Sequence, residues 1–166
     1  MTLPPGSPAP GFDLPQAGAG TGPRLSLAEL TRAGPALLAF FKTSCPVCRM
    51  SFPVWGELAR RYGDAVAVAA VSQDPLAGAR RWLDEAGFPA PVLDDSDAFA
   101  TSAAYQVETV PALVLVGADG QVLAESQGWD RDRANAWDRE LAALAARESP
   151  GALSTPGDGL PPQRPG

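Results

Sequence analysis

The sequence predicts an α/β fold, a central mixed β-sheet flanked by helices on both faces, and three observations carry that prediction. Apolar runs of strand length, at residues 36–41 and 65–71, alternate with segments whose apolar residues recur at helical spacing. Residues 112–116 and 121–125 flank Gly117-Ala118-Asp119-Gly120, the pattern of an antiparallel hairpin. The first apolar run also leads through a short polar turn into Cys45-Pro46-Val47-Cys48 and then a helix.

Each element has its own signal. Pro4, Pro5, Pro8, Pro10, Pro15 and Pro23 lie in the first 24 residues, with a Gly-Ala-Gly-Thr-Gly run at 18–22. Proline cannot donate to a ladder, so this leader is extended and turn-rich, with a short edge pairing around residues 12–14. Ser26 followed by Glu29 is a capping-box pattern for a brief helix over 27–32, stopped by Gly34-Pro35. Residues 36–41 hold no polar side chain, as a central strand buried on both faces requires. In the helix over 49–62, Met50, Val54, Leu58 and Tyr62 recur at a spacing of four. Pro53 lies in its interior, where the lost backbone hydrogen bond predicts a kink.

The second buried strand, 65–71, closes at Ser72-Gln73-Asp74-Pro75. A helix over 76–85 follows and ends at Gly87, a C-cap glycine. Residues 91–93 form a short strand, after which Asp94-Asp95-Ser96-Asp97 caps a helix reaching Tyr105. The last helix, 131–147, carries Ala134, Trp137, Leu141 and Leu144 on one face. Residues 149–166 are dominated by proline and glycine without periodicity, so the expected organisation is one domain over 1–148 and a disordered tail over 149–166.

Composition narrows the function classes. A length of 166 residues with 45% hydrophobic and 19% charged residues suits one globular domain. Nineteen acidic against 13 basic side chains leave a net charge of −6, which disfavours nucleic acid, whose phosphates need clustered Lys and Arg. Residues 1–10 have neither the basic nor the apolar region of a signal peptide. The longest apolar runs, 35–41 and 65–71, fall well short of the roughly 20 residues of a membrane span. The expectation is a cytoplasmic monomer without membrane contact. In a reducing cytosol a lone cysteine pair is catalytic or redox-sensing rather than a structural staple.

Cys45 and Cys48 are the only cysteines in the chain. Their spacing puts the first sulfur at a helix N-terminus and the second one turn in. Free N–H groups and the helix dipole favour negative charge there, and such motifs lower thiol pKa values to roughly 3.5–7.5 from about 8.5. Pro46 suits the first helical position, where its missing N–H costs nothing. Two bland alternatives stand beside this one. The pair can be half of a zinc site, although zinc needs about four ligands and the chain has no histidine and no second cysteine pair. It can also be two structural core cysteines.

The order of the pieces resembles the thioredoxin-like superfamily, and within it the TlpA/redoxin-type thiol–disulfide oxidoreductases. The carriers are Ala9-Pro10-Gly11-Phe12-Asp13-Leu14, Cys45-Pro46-Val47-Cys48 with Pro53, Tyr105-Gln106-Val107-Glu108-Thr109-Val110-Pro111, and Gly117-Ala118-Asp119-Gly120. The resemblance spans about residues 7–147. It implies Cys45 as the nucleophile and Cys48 as the resolving thiol. It implies substrate contacts at Val110, Pro111 and Pro46, with Pro111 as a cis-proline that presents the Val110 backbone for strand-like pairing. Without the resemblance, Pro111 is an ordinary trans proline opening a strand. No cofactor or metal is implied. The implied partners are a disulfide-containing protein or small molecule and an electron donor such as a thioredoxin reductase or a low-molecular-weight thiol.

The chain departs from the family at three places. Ser44 stands where a tryptophan usually precedes the first cysteine, and Ala39 and Ser51 stand where carboxylates usually serve the buried thiol. Lys42 either favours a thiolate electrostatically or is a solvated turn residue. The expected function is a thiol–disulfide oxidoreductase working as a reductase, with antioxidant activity. The alternatives are a redox-sensing adaptor, a metal-binding module, and a peroxiredoxin-like peroxide reductase. The last shares the opening Ala-Pro-Gly-Phe-Asp-Leu pattern but not the Pro-x-x-x-Thr-x-x-Cys site.

Overall fold

The computed structural model describes residues 2–18 and 22–166; the middle of the Gly-rich run at 18–22 lies outside them. The elements are β1 (Asp13–Ala17), β2 (Arg24–Ser26), α1 (Leu27–Leu30), β3 (Ala36–Phe41), α2 (Pro46–Tyr62), β4 (Ala67–Ser72) and α3 (Leu76–Ala86). They continue with β5 (Val92–Asp94), α4 (Ala100–Ala104), β6 (Ala112–Val116), β7 (Val122–Gln127), β8 (Trp129–Asp130), α5 (Arg131–Leu144) and β9 (Gln163–Arg164). Seven strands make the main sheet in the order β2-β1-β5-β4-β3-β6-β7. The β3–β4 and β4–β5 pairs are parallel, and the other four pairs are antiparallel. The sheet is therefore mixed, as expected from helical crossovers followed by a hairpin.

β3 is central and buried along its whole length. Its alternate residues feed two cores. Leu37, Ala39 and Phe41 join α2, α3 and α5 through Phe52, Trp55, Leu58, Trp82, Trp137 and Leu141. Leu38 and Phe40 face the opposite layer, closed by Leu25, Leu27 and Tyr105. The rings of Phe41, Phe52 and Trp82 cluster with centroids 5.0–5.2 Å apart, and the Phe88 ring lies 5.1 Å from that of Phe52. On the other face, Tyr105 packs on Phe40 and donates its hydroxyl to the Pro10 carbonyl at 2.8 Å. Aromatic pairs of this kind add about 0.5–1.5 kcal/mol each beyond the area they bury. The two layers fix the base of α2 on β3, which is what positions the cysteine pair.

Local chemistry explains most element ends. The Ser26–Glu29 capping box forms in both directions. α3 ends at Gly87 with φ +71°, a left-handed conformation that favours glycine. α2 continues through Pro53 to Tyr62. Other details differ from the sequence reading. The pairing expected near residues 12–14 is β1, and it lies between β2 and β5 rather than at an edge. α4 starts only at Ala100, because Ala98 and Phe99 take positive φ. Its cap is still the expected acidic cluster: the Asp95 carboxylate accepts from Thr101 N, Ser102 N and Ser102 Oγ at 2.7–2.9 Å. α5 stops at Leu144, whose side chain is 45% exposed instead of facing the core.

The expected disorder of 149–166 is corrected by the structure. Leu153 and Leu160 pack on the core that holds α2 and α5. Trp129 Nε1 donates to the Pro161 carbonyl at 2.7 Å, and Arg131 Nη2 donates to the Leu160 carbonyl at 2.6 Å. Asn135 brackets Ser154, donating to its carbonyl and accepting from its N–H. β9 adds to β8 as an antiparallel pair. Composition registered the prolines and glycines but not these anchors, most of which lie on α5 and β8. Deleting 149–166 uncovers the core surface on which Leu153 and Leu160 pack and leaves the buried Trp129 N–H without its acceptor, while releasing the ordering entropy of the segment. The expected net loss is about 2 kcal/mol, read as a fall of roughly 5 °C in Tm; an unchanged Tm would show the docking to be energetically idle.

Candidate functional site

β3 delivers the chain to the site at Phe41, and a turn of three residues joins it to Cys45. The turn is held from both sides: Cys45 N donates to the Lys42 carbonyl at 3.1 Å, and Thr43 N donates to Asp74 Oδ2 at 2.7 Å. Asp74 follows β4, the parallel neighbour of β3, and Ser72 fixes its backbone on both sides. Asp74 thus positions the turn; its place in a Ser-Gln-Asp-Pro loop was the only hint of this in the sequence. Cys45 is the N-cap of α2, with φ −81° and ψ 118°, and Pro46 occupies the first turn. Cys48 N, one of the otherwise unpaired N–H groups at the helix start, donates to Cys45 Sγ at 3.1 Å.

The loop before β6 completes the arrangement. The Val110–Pro111 peptide bond is cis. Cys45 Sγ donates to the Val110 carbonyl at 3.3 Å, although the two residues are 65 apart in sequence. Gln127 Oε1 accepts from Glu108 N and Thr109 N, and Gly128 N donates to the Pro111 carbonyl at 2.8 Å. Gln127 and Gly128 lie at the end of the neighbouring strand β7, so the hairpin holds the loop in register with the thiol. Neither was singled out by the sequence reading, because their role depends on β6–β7 pairing across the hairpin. Cys45, Cys48 and Val110 thus come together, with Pro111 next along the loop and Pro46 exposed at the helix start.

The two sulfurs sit in different environments. Cys45 is half-buried and Cys48 fully buried, both as free thiols. Burial pushes the Cys48 thiol up, and the adjoining Cys45 adds to the rise. No carboxylate occupies either expected relay position. Ala39 and Ser51 are both buried, and the Ser51 hydroxyl donates to the Val47 carbonyl at 2.8 Å. Lys42 has an exposed side chain. Among the described residues no three His, Cys, Asp or Glu side chains gather as a metal-ligating group.

A helix-capping thiol, a buried second thiol and a facing backbone carbonyl thus meet at one end of the central sheet. The chain matches the AhpC/TSA family over residues 5–125, and it belongs to that family of redoxins. It is an oxidoreductase with a thioredoxin-like fold. A search of curated proteins found no match. Among solved structures it is similar to a DsbE thiol:disulfide interchange protein of Chlorobium tepidum, with 28% identity, 87% of this chain and 99% of that one covered, and a TM-score of 0.72. The thioredoxin domain of a Bacteroides vulgatus thiol-disulfide oxidoreductase shares the fold at 19% identity and TM-score 0.70, covering 84% of this chain and 99% of that one. So does the peroxidoxin BcpB of Mycobacterium tuberculosis, at 19% identity and TM-score 0.66, with 88% and 97% covered. No helix among the described residues is long and apolar enough to cross a membrane.

Proposed function

We propose that the chain is a thiol–disulfide oxidoreductase in which Cys45 and Cys48 form the redox pair and the Val110–Pro111 loop, with Pro46, receives the substrate. The observation that carries this is the position of Cys45 Sγ, between the Cys48 N–H at 3.1 Å and the Val110 carbonyl at 3.3 Å. The N–H stabilises a thiolate at the helix start, and the carbonyl belongs to a backbone that an extended peptide can pair with. In the reaction the Cys45 thiolate attacks one sulfur of a substrate disulfide. A mixed disulfide forms, and the other sulfur leaves as a thiolate that takes up a proton. Cys48 then gives up its proton and attacks Cys45 Sγ. The second substrate thiol departs and a Cys45–Cys48 disulfide remains, two electrons having passed to the substrate. A thiol donor, either a small thiol or a dithiol reductase, returns the pair to the reduced state.

The reductase direction and a cytoplasmic location belong to this proposal, supported by the presence of one cysteine pair and no further cysteine that could form a structural disulfide. Reduction of insulin disulfides with dithiothreitol as donor tests the activity, and thiol counts should fall by two on mild oxidation. An unchanged count would remove the redox pair from consideration. A potential near about −270 mV is expected for a reductase, whereas one near about −120 mV would reverse the direction.

The family match favours a second reading, peroxide reduction. There the Cys45 thiolate is oxidised to a sulfenic acid as the peroxide O–O bond breaks, and Cys48 condenses with it, releasing water. Consumption of hydrogen peroxide with dithiothreitol, run beside the insulin assay, decides between them by which substrate turns over.

A further inference from the structure

The segment after Leu160 has no part in the chemistry proposed above, yet it lies against the site. Gln163 and Arg164 pair with Asp130 and Trp129, and the chain then crosses Gly128. Gly128 has φ +70°, and a side-chain carbon added there would stand 3.0 Å from the Arg164 carbonyl oxygen and 3.1 Å from Gly166 N. The chain next reaches the loop that faces the thiol. A carbon added to Gly166 would stand 2.5 Å from the Val110 carbonyl oxygen and 3.0 Å from Thr109 Oγ1. That oxygen is also the acceptor of the Cys45 thiol. One carbonyl thus has the reactive sulfur at hydrogen-bond distance and Gly166 packed against it. Both glycines occur where backbone meets backbone too closely for a side chain.

We propose that residues 163–166 are a specificity strap that occupies the peptide-docking face of the Val110–Pro111 loop. A disulfide borne on an extended peptide needs the backbone of this loop and the adjoining strand β8, and the strap already takes both. A small disulfide needs only a path to Cys45 Sγ, which remains half-exposed. The strap can leave without unfolding its base. Its anchors, the bonds from Trp129 and Arg131 to Pro161 and Leu160, precede it. Beyond Pro162 the segment is exposed, and Gln163 Nε2 to Asp130 Oδ2 at 2.6 Å is its side-chain tie. A strap open about a tenth of the time lowers the apparent affinity for a peptide-borne disulfide about tenfold. This proposal rests on the thiol–disulfide reading of Cys45 and Cys48.

The test compares the intact chain with a variant lacking residues 163–166 and with Gln163→Ala. Two disulfides are used, insulin and 2-hydroxyethyl disulfide, each with dithiothreitol as donor. In parallel, the thiol is alkylated by N-ethylmaleimide and by a bulky polyethylene-glycol maleimide. Removal of the strap should speed insulin reduction about tenfold and leave the small disulfide within about twofold, with Gln163→Ala moving the same way by less. The rate with the bulky maleimide should rise relative to the small one. Equal changes for both disulfides, or an unchanged ratio of the two alkylation rates, would overturn the strap. If neither disulfide is reduced by any form, the thiol–disulfide reading fails instead, and the alkylation ratio alone decides whether the strap covers the thiol.

Discussion

With Cys48 replaced by serine, the protein should accumulate as a mixed disulfide with its substrate, whereas Cys45→Ser should trap almost none. The two outcomes follow from burial and from the helix start. Cys45 is half-buried and receives the Cys48 N–H, so its sulfur can meet an incoming disulfide. Cys48 is shut in the core between β3 and α2, and burial raises its pKa, so at neutral pH it is a shielded thiol. Either substitution should lower turnover on the order of a thousandfold or more, because the residues act as one unit. Resolution should also be the slow step in the unaltered protein, since Ala39 and Ser51 offer no carboxylate for the Cys48 proton. Its rate should then climb close to tenfold per pH unit from about pH 6 to 8, following the thiolate fraction of a group whose pKa lies above that range. Ala39→Asp should flatten that slope and raise the rate at pH 7, at some cost in stability for a carboxyl in the core. Equal trapping by the two serine variants, observed on non-reducing gels, would reverse or remove the division of roles.

How much was legible beforehand depended on whether the signal was local. The capping box at Ser26, the apolar β3, the hairpin at Gly117–Gly120 and the C-cap at Gly87 are each written within a few residues, and all appear at or near the expected positions. The placement of the two cysteines at the start of α2 was legible for the same reason. Asp74, Gln127 and Gly128 were not, because each acts on the site from the end of a neighbouring strand or just beyond it, and only sheet order brings them there. The tail failed for a related reason. Proline and glycine content speaks to the entropy of a free segment, but Trp129, Arg131 and Asn135 supply partners from elsewhere in the chain. The same entropy argument works in reverse for the strap: with φ already restricted at Pro161, Pro162 and Pro165, less freedom is lost on docking.

Asp138→Ala should be the most destabilising single substitution among the charged residues named here, at about 3 kcal/mol, because it takes a buried carboxylate away from two buried donors. Asp138 is 2% exposed, on the face of α5 that also carries Ala134, Trp137 and Leu141. Its Oδ1 accepts from Arg61 Nη1 and from the Tyr62 hydroxyl, both at 2.8 Å and both from the last turn of α2. Removing it leaves a fully buried phenol without its acceptor and leaves the Arg61 guanidinium with only Glu57 and the Gly151 carbonyl, so α5 loses its polar tie to the helix that carries the cysteines. A loss of this size lowers Tm by roughly 10 °C in a chain of this length. Burial raises the Asp138 carboxyl pKa, but hydrogen bonds from Ser149, Arg61 and Tyr62 outweigh it and hold the group below the ordinary carboxylate value. With the folded pKa depressed, the unfolded state binds the proton more readily. The contribution is therefore full above about pH 4–5 and is lost as pH falls through the ordinary carboxylate value of about 3.9 towards the lower folded one. The unaltered protein should lose stability across that acid window, and Asp138→Ala should lose less of it there while being weaker at neutral pH. Tyr62→Phe in the Asp138→Ala background should cost less than Tyr62→Phe alone, since the phenol then has no carboxylate to lose. Urea titrations of the four forms at pH 3 and pH 7 measure both effects. A neutral-pH loss below about 1 kcal/mol would place the Arg61–Asp138 pair with ordinary surface pairs.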